Sequence, residues 1–171
     1  MGVLTMKRIL FQKHKASEQY GITTDVYGSD DFGIVPLSHA FNVELEHKDL
    51  PSNDWLDENG DDEFIPDKPC FKAFEDEVEF GIEADSPQEA LGVIAYFIMY
   101  LSSGGSFSMY DERTTIGYSE VRFVKLEPMA DKIEKDGKSI IQFKIVFKIN
   151  SPTNYITLEK TASANVENIR L

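Results

Sequence analysis

Cysteine occurs once in the 171 residues, at Cys70, so the chain cannot form an internal disulfide and has to fold around its own core. Basic residues are scarce: 17 Lys and Arg stand against 30 Asp and Glu, a formal net charge of −13. Phosphate backbones and anionic membrane surfaces are recognised by clustered Lys and Arg, so neither nucleic acid nor a membrane is expected as a direct partner. Long apolar runs are also missing. The longest, Ala90–Leu101, has twelve residues, too few to span a bilayer. The first residues, MGVLTMKRILFQKHK, contain no continuous apolar stretch and no small-residue cleavage site. Met6 stands where a myristoylation motif needs Ser or Thr. Synthesis in a reducing cytoplasm, with Cys70 left as a thiol, is the expectation.

Catalytic signatures are equally sparse. The sequence has no HExxH, CxxC, GxSxG, P-loop or GxGxxG pattern, and His14, His39 and His47 lie in unrelated contexts. The acidic segment Asp54–Glu63 invites a test as a calcium loop. Setting Gly60 at position 6 puts Trp55 at position 1 and Pro66 at position 12, and neither is a ligand. Gly104-Gly105 follows a helix instead of opening one, so it is no phosphate cradle. Thirty acids offer many carboxylate pairs for hydrolysis, but spacing favours none of them. No catalytic residue, metal or cofactor is expected.

What the chain does have is 42% apolar residues and clear periodicity. A chain of this length buries roughly 70% of the surface exposed when unfolded, enough for one domain. Lys7–Gln12 is a short strand candidate, 15–39 reads as loop with at most one short strand, and Ala40–Leu45 alternates as a half-buried strand would. Glu46–Lys68 is polar and acidic, one long loop of the kind that is usually functional or mobile. Glu75–Glu83 alternates cleanly, with Val78, Phe80 and Ile82 on one side and only acids on the other. A neighbour meeting that acidic side should be basic. Ser86-Pro87-Gln88-Glu89 has the form of a capping box and opens a helix that ends near Ser102, before Gly104-Gly105. The helix is apolar nearly all round. Its stripe of Val93, Phe97 and Tyr100 therefore becomes a candidate interface with another subunit. Ser106–Tyr110, Tyr118–Leu126 and Ser139–Ile149 read as strands. Pro128–Lys138 reads as a polar connection carrying the Asp136-Gly137 turn. Tyr110, Asp111 and Arg122 are expected to form a buried structural trio.

The predicted fold class is α+β, mostly antiparallel: a small β-barrel or split sheet packed by one main helix. Residues 1–152 form the domain and 153–171 an arm or tail.

The order of features from Lys48 to Pro152 is the more specific signal. It runs from Asp54-Trp55-Leu56-Asp57 through Gly60-Asp61-Asp62-Glu63-Phe64 to Met109-Tyr110-Asp111, Ile116-Gly117-Tyr118 and Val121-Arg122-Phe123. It ends on Phe143-Lys144-Ile145-Val146-Phe147-Lys148 and Pro152. This resembles the N-terminal domain of the distal tail (Dit-like) proteins of siphophages and prophages. The resemblance implies a structural virion-tail component, made in the bacterial host cytoplasm. It would be a distal tail or tube-associated ring subunit, self-assembling as a hexamer with other tail proteins and without catalysis. Here only about nineteen residues follow Pro152, whereas many distal tail proteins carry a second domain. Trp55, Asp57, Asp61 and Phe64 are the candidate contact residues of the acidic loop, with the alternative that Trp55 only pins the loop to the domain. The competing reading is a small β-barrel that binds a ligand among its twelve Phe and seven Tyr, although such aromatics usually fill a barrel.

Overall fold

Three long strands and one helix organise the molecule, and the helix and two of those strands follow from their local sequence. The computed structural model describes residues 7–42, 45–57, 59–68, 70–159 and 168–170. The chain runs through β1 (Ile9–Lys13), β2 (Val26–Gly28), β3 (Val35–Pro36), β4 (Ser52–Asp54), β5 (Asp61–Glu63) and β6 (Phe74–Ala84). It continues through α1 (Pro87–Ser102), β7 (Phe107–Asp111), β8 (Ile116–Lys135), β9 (Lys138–Ile149), β10 (Thr157–Glu159) and β11 (Asn168–Arg170).

Seven strands form one antiparallel sheet in the order β2-β1-β7-β8-β9-β6-β3. β6 pairs with β9 without interruption, from Phe74 opposite Ile149 to Ala84 opposite Ser139. Val78, Phe80 and Ile82 of β6, with Phe143, Ile145 and Phe147 of β9, form one buried face, as their two-residue spacing requires. The acids on the other side of β6 do meet a basic neighbour. Lys144 of β9 bonds Glu77 at 2.9 Å, Lys138 bonds Glu83 at 2.9 Å, and Lys148 lies opposite Glu75.

The helix begins as the sequence indicates. The Ser86 hydroxyl accepts the Glu89 amide at 3.2 Å, and the Glu89 carboxylate reaches back one residue beyond the cap, to the Asp85 amide at 3.1 Å. It stops before Gly104 and Gly105, both left-handed at φ +74 and +79. Its inner side packs on the sheet, and Phe97 meets the rings of Phe11 (5.4 Å), Phe80 (5.8 Å) and Phe32 (4.9 Å).

The fold is α+β and the hydrogen-bonded sheet is open, so the barrel alternative is corrected. The two edge strands, β2 and β3, are nevertheless consecutive in the chain. Residues 29–34, including the 3-10 turn Ser29–Phe32, cross the gap between them. The chain spans the opening that ladder hydrogen bonds leave.

Four local readings change. Residues 15–39 hold two short strands and two 3-10 turns instead of at most one strand. Ala40–Leu45 is no strand among its described residues. Phe41 turns left-handed at φ +67, and the Asp76 carboxylate takes the amides of Phe41 (2.6 Å) and Asn42 (3.2 Å) that a ladder would have used. Positions 43 and 44 lie outside the described residues. Glu46–Lys68 contains the β4–β5 hairpin. The connection at Pro128–Lys138 is mostly strand: β8 continues to Lys135, with its register shifting between Pro128 and Lys132. A proline without an amide donor is accommodated at such an irregularity. Asp136-Gly137 does make the turn, at φ +54 and +78.

The segment after Pro152 first packs on the domain. The Ile156 amide donates to the Gly117 carbonyl at 2.9 Å, and Ile156 is buried. β10 and β11 then pair with each other, and positions 160–167 and 171 of the expected arm lie outside the described residues.

Candidate functional site: two exposed apolar surfaces

The first surface is built on the β4–β5 hairpin. Its stem is clamped: Lys48 donates its amide to the Cys70 carbonyl at 2.9 Å, Lys72 donates its own to the Glu46 carbonyl at 2.8 Å, and the rings of His47 and Phe71 lie 4.9 Å apart. The Lys72 ammonium bonds Glu46 and Asp49, each at 2.8 Å, and these bonds hold its proton more tightly than usual. The hairpin then leaves the domain through Asp54 opposite Asp61 and Asn53 opposite Asp62, with Gly60 left-handed at φ +92 in its turn. Two carboxylates directly opposite are unfavourable in an isolated ladder.

Among this acidity sit four apolar side chains facing solvent. Trp55 is 52% exposed, Phe64 68% and Ile65 73%, and Leu56 is wholly exposed. Asp57 and Asp61 lie exposed beside them. An open cleft of about 520 Å³ runs between stem and hairpin, lined by His47, Leu50, Glu63, Ile65 and Pro66.

The second surface lies on α1, but not where the sequence stripe puts it. Phe97 is fully buried, Tyr100 is 4% exposed and Val93 is half-buried against the core. A fully buried phenylalanine contributes roughly 1.5–3 kcal/mol. Turning Phe97 outward would unmake the core before it made an interface. The outward face instead presents Leu91 (58%), Tyr96 (56%) and Met99, with Gly92 and Ala95 between them. A helix apolar nearly all round carries no sequence signal for which side the sheet will cover.

Beneath the inner end of α1 lies a cation that the sequence does not announce. Lys13, at the end of β1, is 1% exposed and donates to the Leu101 carbonyl at 2.9 Å. Its ammonium sits 4.5 Å from the Phe107 ring centre and 5.2 Å from that of Tyr100. Burial lowers its pKa to about 8. Burial also raises the Tyr100 phenol above its ordinary value. The carbonyls at a helix C-terminus are short of partners and attract a cation, which explains the placement.

The expected trio is only partly assembled. Tyr110 and Asp111 are buried, but Arg122 faces solvent. Asp111 is met by Arg113, from the turn that follows it. The Asp111 carboxylate accepts the amides of Ala40 (2.7 Å) and Arg113 (2.8 Å), and the Arg113 guanidinium donates to the carbonyls of Pro36 (3.1 Å) and Ser38 (2.7 Å). With Asp76, these groups fasten 36–42 across the open end of the core. Burial raises the Asp76 carboxyl above its ordinary value, against the pull of the amides it accepts.

The aromatics that a ligand-binding barrel would have used pack on one another. Phe11 lies 6.2 Å from Phe107 and 6.4 Å from Phe147, and Phe80 stacks on Phe143 at 5.7 Å. Among the described residues, no three His, Cys, Asp or Glu side chains converge as metal ligands.

No family model matches the sequence, and no curated protein matches it. In structure the chain is similar to SPP1 Dit (gp 19.1), a crystal structure described as a paradigm of the hub adsorption apparatus in phages infecting Gram-positive bacteria. The TM-score is 0.54 at 10% sequence identity, over 87% of this chain and 52% of that one. The chain thus spans about half the length of that protein, and the likeness is one of fold.

Proposed function

We propose that this chain is a structural component of a phage or prophage tail. In this reading it is a distal tail or tube-associated ring subunit that acts by self-assembly, not by catalysis, and resides in the virion tail. The observation that carries the reading is the fold likeness to SPP1 Dit over 87% of the chain. The two exposed apolar surfaces agree with it, because a ring subunit has to present surface to its neighbours. In this reading residues 1–152 are the assembling domain. The stretch beyond Pro152 is an arm that starts by packing on β8, and Trp55, Asp57, Asp61 and Phe64 belong to a contact region.

Solution mass tests the proposal. Light scattering or native mass spectrometry over a range of concentrations should show a hexamer, or a ladder growing toward one, and negative-stain images should show rings. A strict monomer at millimolar concentration that carries a bound small molecule would favour the ligand-binding alternative.

A further inference from the structure

We infer that the open edge of the β4–β5 hairpin takes up an extended strand of another protein, one that carries Lys or Arg at alternate positions. This rests on the contact region proposed above and names its partner.

Hydrogen bonds within the hairpin define that edge. Phe64 donates its amide to the Pro51 carbonyl at 3.0 Å, and Ser52, Asn53 and Asp54 lie opposite Glu63, Asp62 and Asp61. Bonded and non-bonded pairs alternate along an antiparallel ladder. Asn53 and Asp62 are therefore a bonded pair, and the amides and carbonyls of Asp61 and Glu63 point away from β4. Among the described residues nothing meets them: β5 pairs with β4 alone, and all three of its residues are exposed.

The seven-stranded sheet treats its edges differently. On β3, Pro36 has no amide, and its carbonyl accepts the Arg113 guanidinium at 3.1 Å. The neighbouring Ile34 amide is taken by the Ser29 carbonyl at 3.0 Å. On β2, the Asp31 carboxylate takes the Gly28 amide at 2.7 Å. Devices of this kind keep a sheet from adding strands. The hairpin edge at β5 has none of them, and two strands alone are marginally stable in water. A third strand supplies what it lacks, by the ladder bonds of β-augmentation.

Charge says which strand. Between Asp49 and Asp67 the sequence has no Lys or Arg. Elsewhere the chain pairs its acids from within. Lys72 holds Glu46 and Asp49 at the stem, and Lys138 and Lys144 hold Glu83 and Glu77 on the sheet. Asp54, Asp61 and Glu63 share one face of the hairpin, and among the described residues no ion pair reaches them. Cations opposite Asp61 and Glu63, two residues apart on an added strand, would meet all three. The other face of that strand would bring an apolar side chain beside Phe64, toward the cleft that Leu50, Ile65 and Pro66 line. This chain's own lysine-rich strands, β8 and β9, are paired on both edges. A second copy at −13 is also repelled, so the strand comes from a different, basic protein.

Three capped six-residue peptides added to the full-length chain test this: alternating Lys and Val, alternating Lys and Pro, and alternating Glu and Val. The Lys-Val peptide should slow amide exchange at Asp61 and Glu63 at least tenfold and leave Phe64, already bonded, nearly unchanged. The Lys-Pro peptide keeps the charge but cannot form a ladder. It and the Glu-Val peptide should bind at least tenfold more weakly. Glu63→Pro removes an amide that the hairpin itself does not use, and should abolish binding while the Phe64 amide stays protected. If that variant loses the Phe64 protection, the pair Asp61→Asn and Glu63→Gln reads the same edge and should weaken binding at least tenfold. Equal binding of the Lys-Pro peptide would mean attraction without a ladder, and protection absent from Asp61 and Glu63 would mean that no strand adds there. Either overturns the inference, as does full binding by the variants. Ring formation is read separately by solution mass. An oligomer that ignores the Lys-Val peptide overturns this contact alone, and a monomer that takes it up overturns the assembly alone.

Discussion

Lys13 and Asp111 show what single buried charges do in this protein. Lys13 holds its proton less tightly folded than unfolded, about 8 against 10.5, so its charged form disfavours the native state. That penalty is complete below pH 8 and fades as the pH rises toward the unfolded value. The stability of the natural protein relative to Lys13→Met should therefore climb between pH 8 and 10, by roughly 2 kcal/mol at about 1.4 kcal/mol per tenfold change in proton affinity. Urea titrations of both proteins across that interval read the difference directly, and a flat difference would refute it. The raised Tyr100 phenol works in the opposite sense above pH 10, so the comparison stops there. Asp111 answers to another rule. Asp111→Ala would leave the Ala40 amide without a partner and the Arg113 guanidinium without its carboxylate, and should cost about 3 kcal/mol. Amide exchange at Ala40 should rise well beyond the global loss if the carboxylate is what fastens 36–42. The sequence suggested a charged trio here but named Arg122, because strand spacing shows which residues share a strand, not which turn folds back over a carboxylate.

At the scale of elements, legibility follows one-sided burial. β6 and β9 could be located because each buries one face against the core, and burial on one face imposes a period of 2 on the residues that form it, whereas α1, apolar nearly all round, is marked by its capping box and closing glycines. Where burial is incomplete or supplied by polar groups, the pattern gives no guide. Ala40–Leu45 alternates, yet the Asp76 carboxylate takes its amides. Residues 128–135 extend as strand without an alternating signature. The hairpin within 46–68 pairs Ser52, Asn53 and Asp54 with Glu63, Asp62 and Asp61, residues that no strand propensity favours. The same reasoning explains the candidate contact residues. The apolar members of the acidic loop are exposed, while the helix stripe lies inward, because amphipathic spacing does not say which side the sheet will take. Gly92 supplies the test at this scale. Gly92→Ala should raise the stability of the isolated subunit by about 1 kcal/mol, read as a higher urea midpoint, since the added methyl meets nothing in the chain's own fold. A loss of stability would mean that the fold itself needs this glycine.

For the whole molecule, net charge and architecture pull in different directions. Two copies of a chain at −13 repel each other, over about 30 Å at 0.01 M salt and about 8 Å at 0.15 M, and the self-assembly proposed above has to overcome that. Apolar contact, by contrast, depends little on dilute salt. Association should therefore strengthen as salt rises through that interval, as sedimentation velocity would record. Weakening instead would mean that ion pairs carry the interface. The strand order has a bearing on how the chain is made. β8 and β9 are joined by a two-residue turn and stand between β7 and β6, so the half of the sheet under α1 lacks its filling until Ile149 has been translated. On the ribosome, α1 emerges with β6 beside it and without the strand that β6 matches residue for residue. The hairpin made last works as a keystone. A nascent chain stalled before Ile149 lacks the two central strands on which its helix packs, and only a finished one holds hairpin and helix on a single sheet.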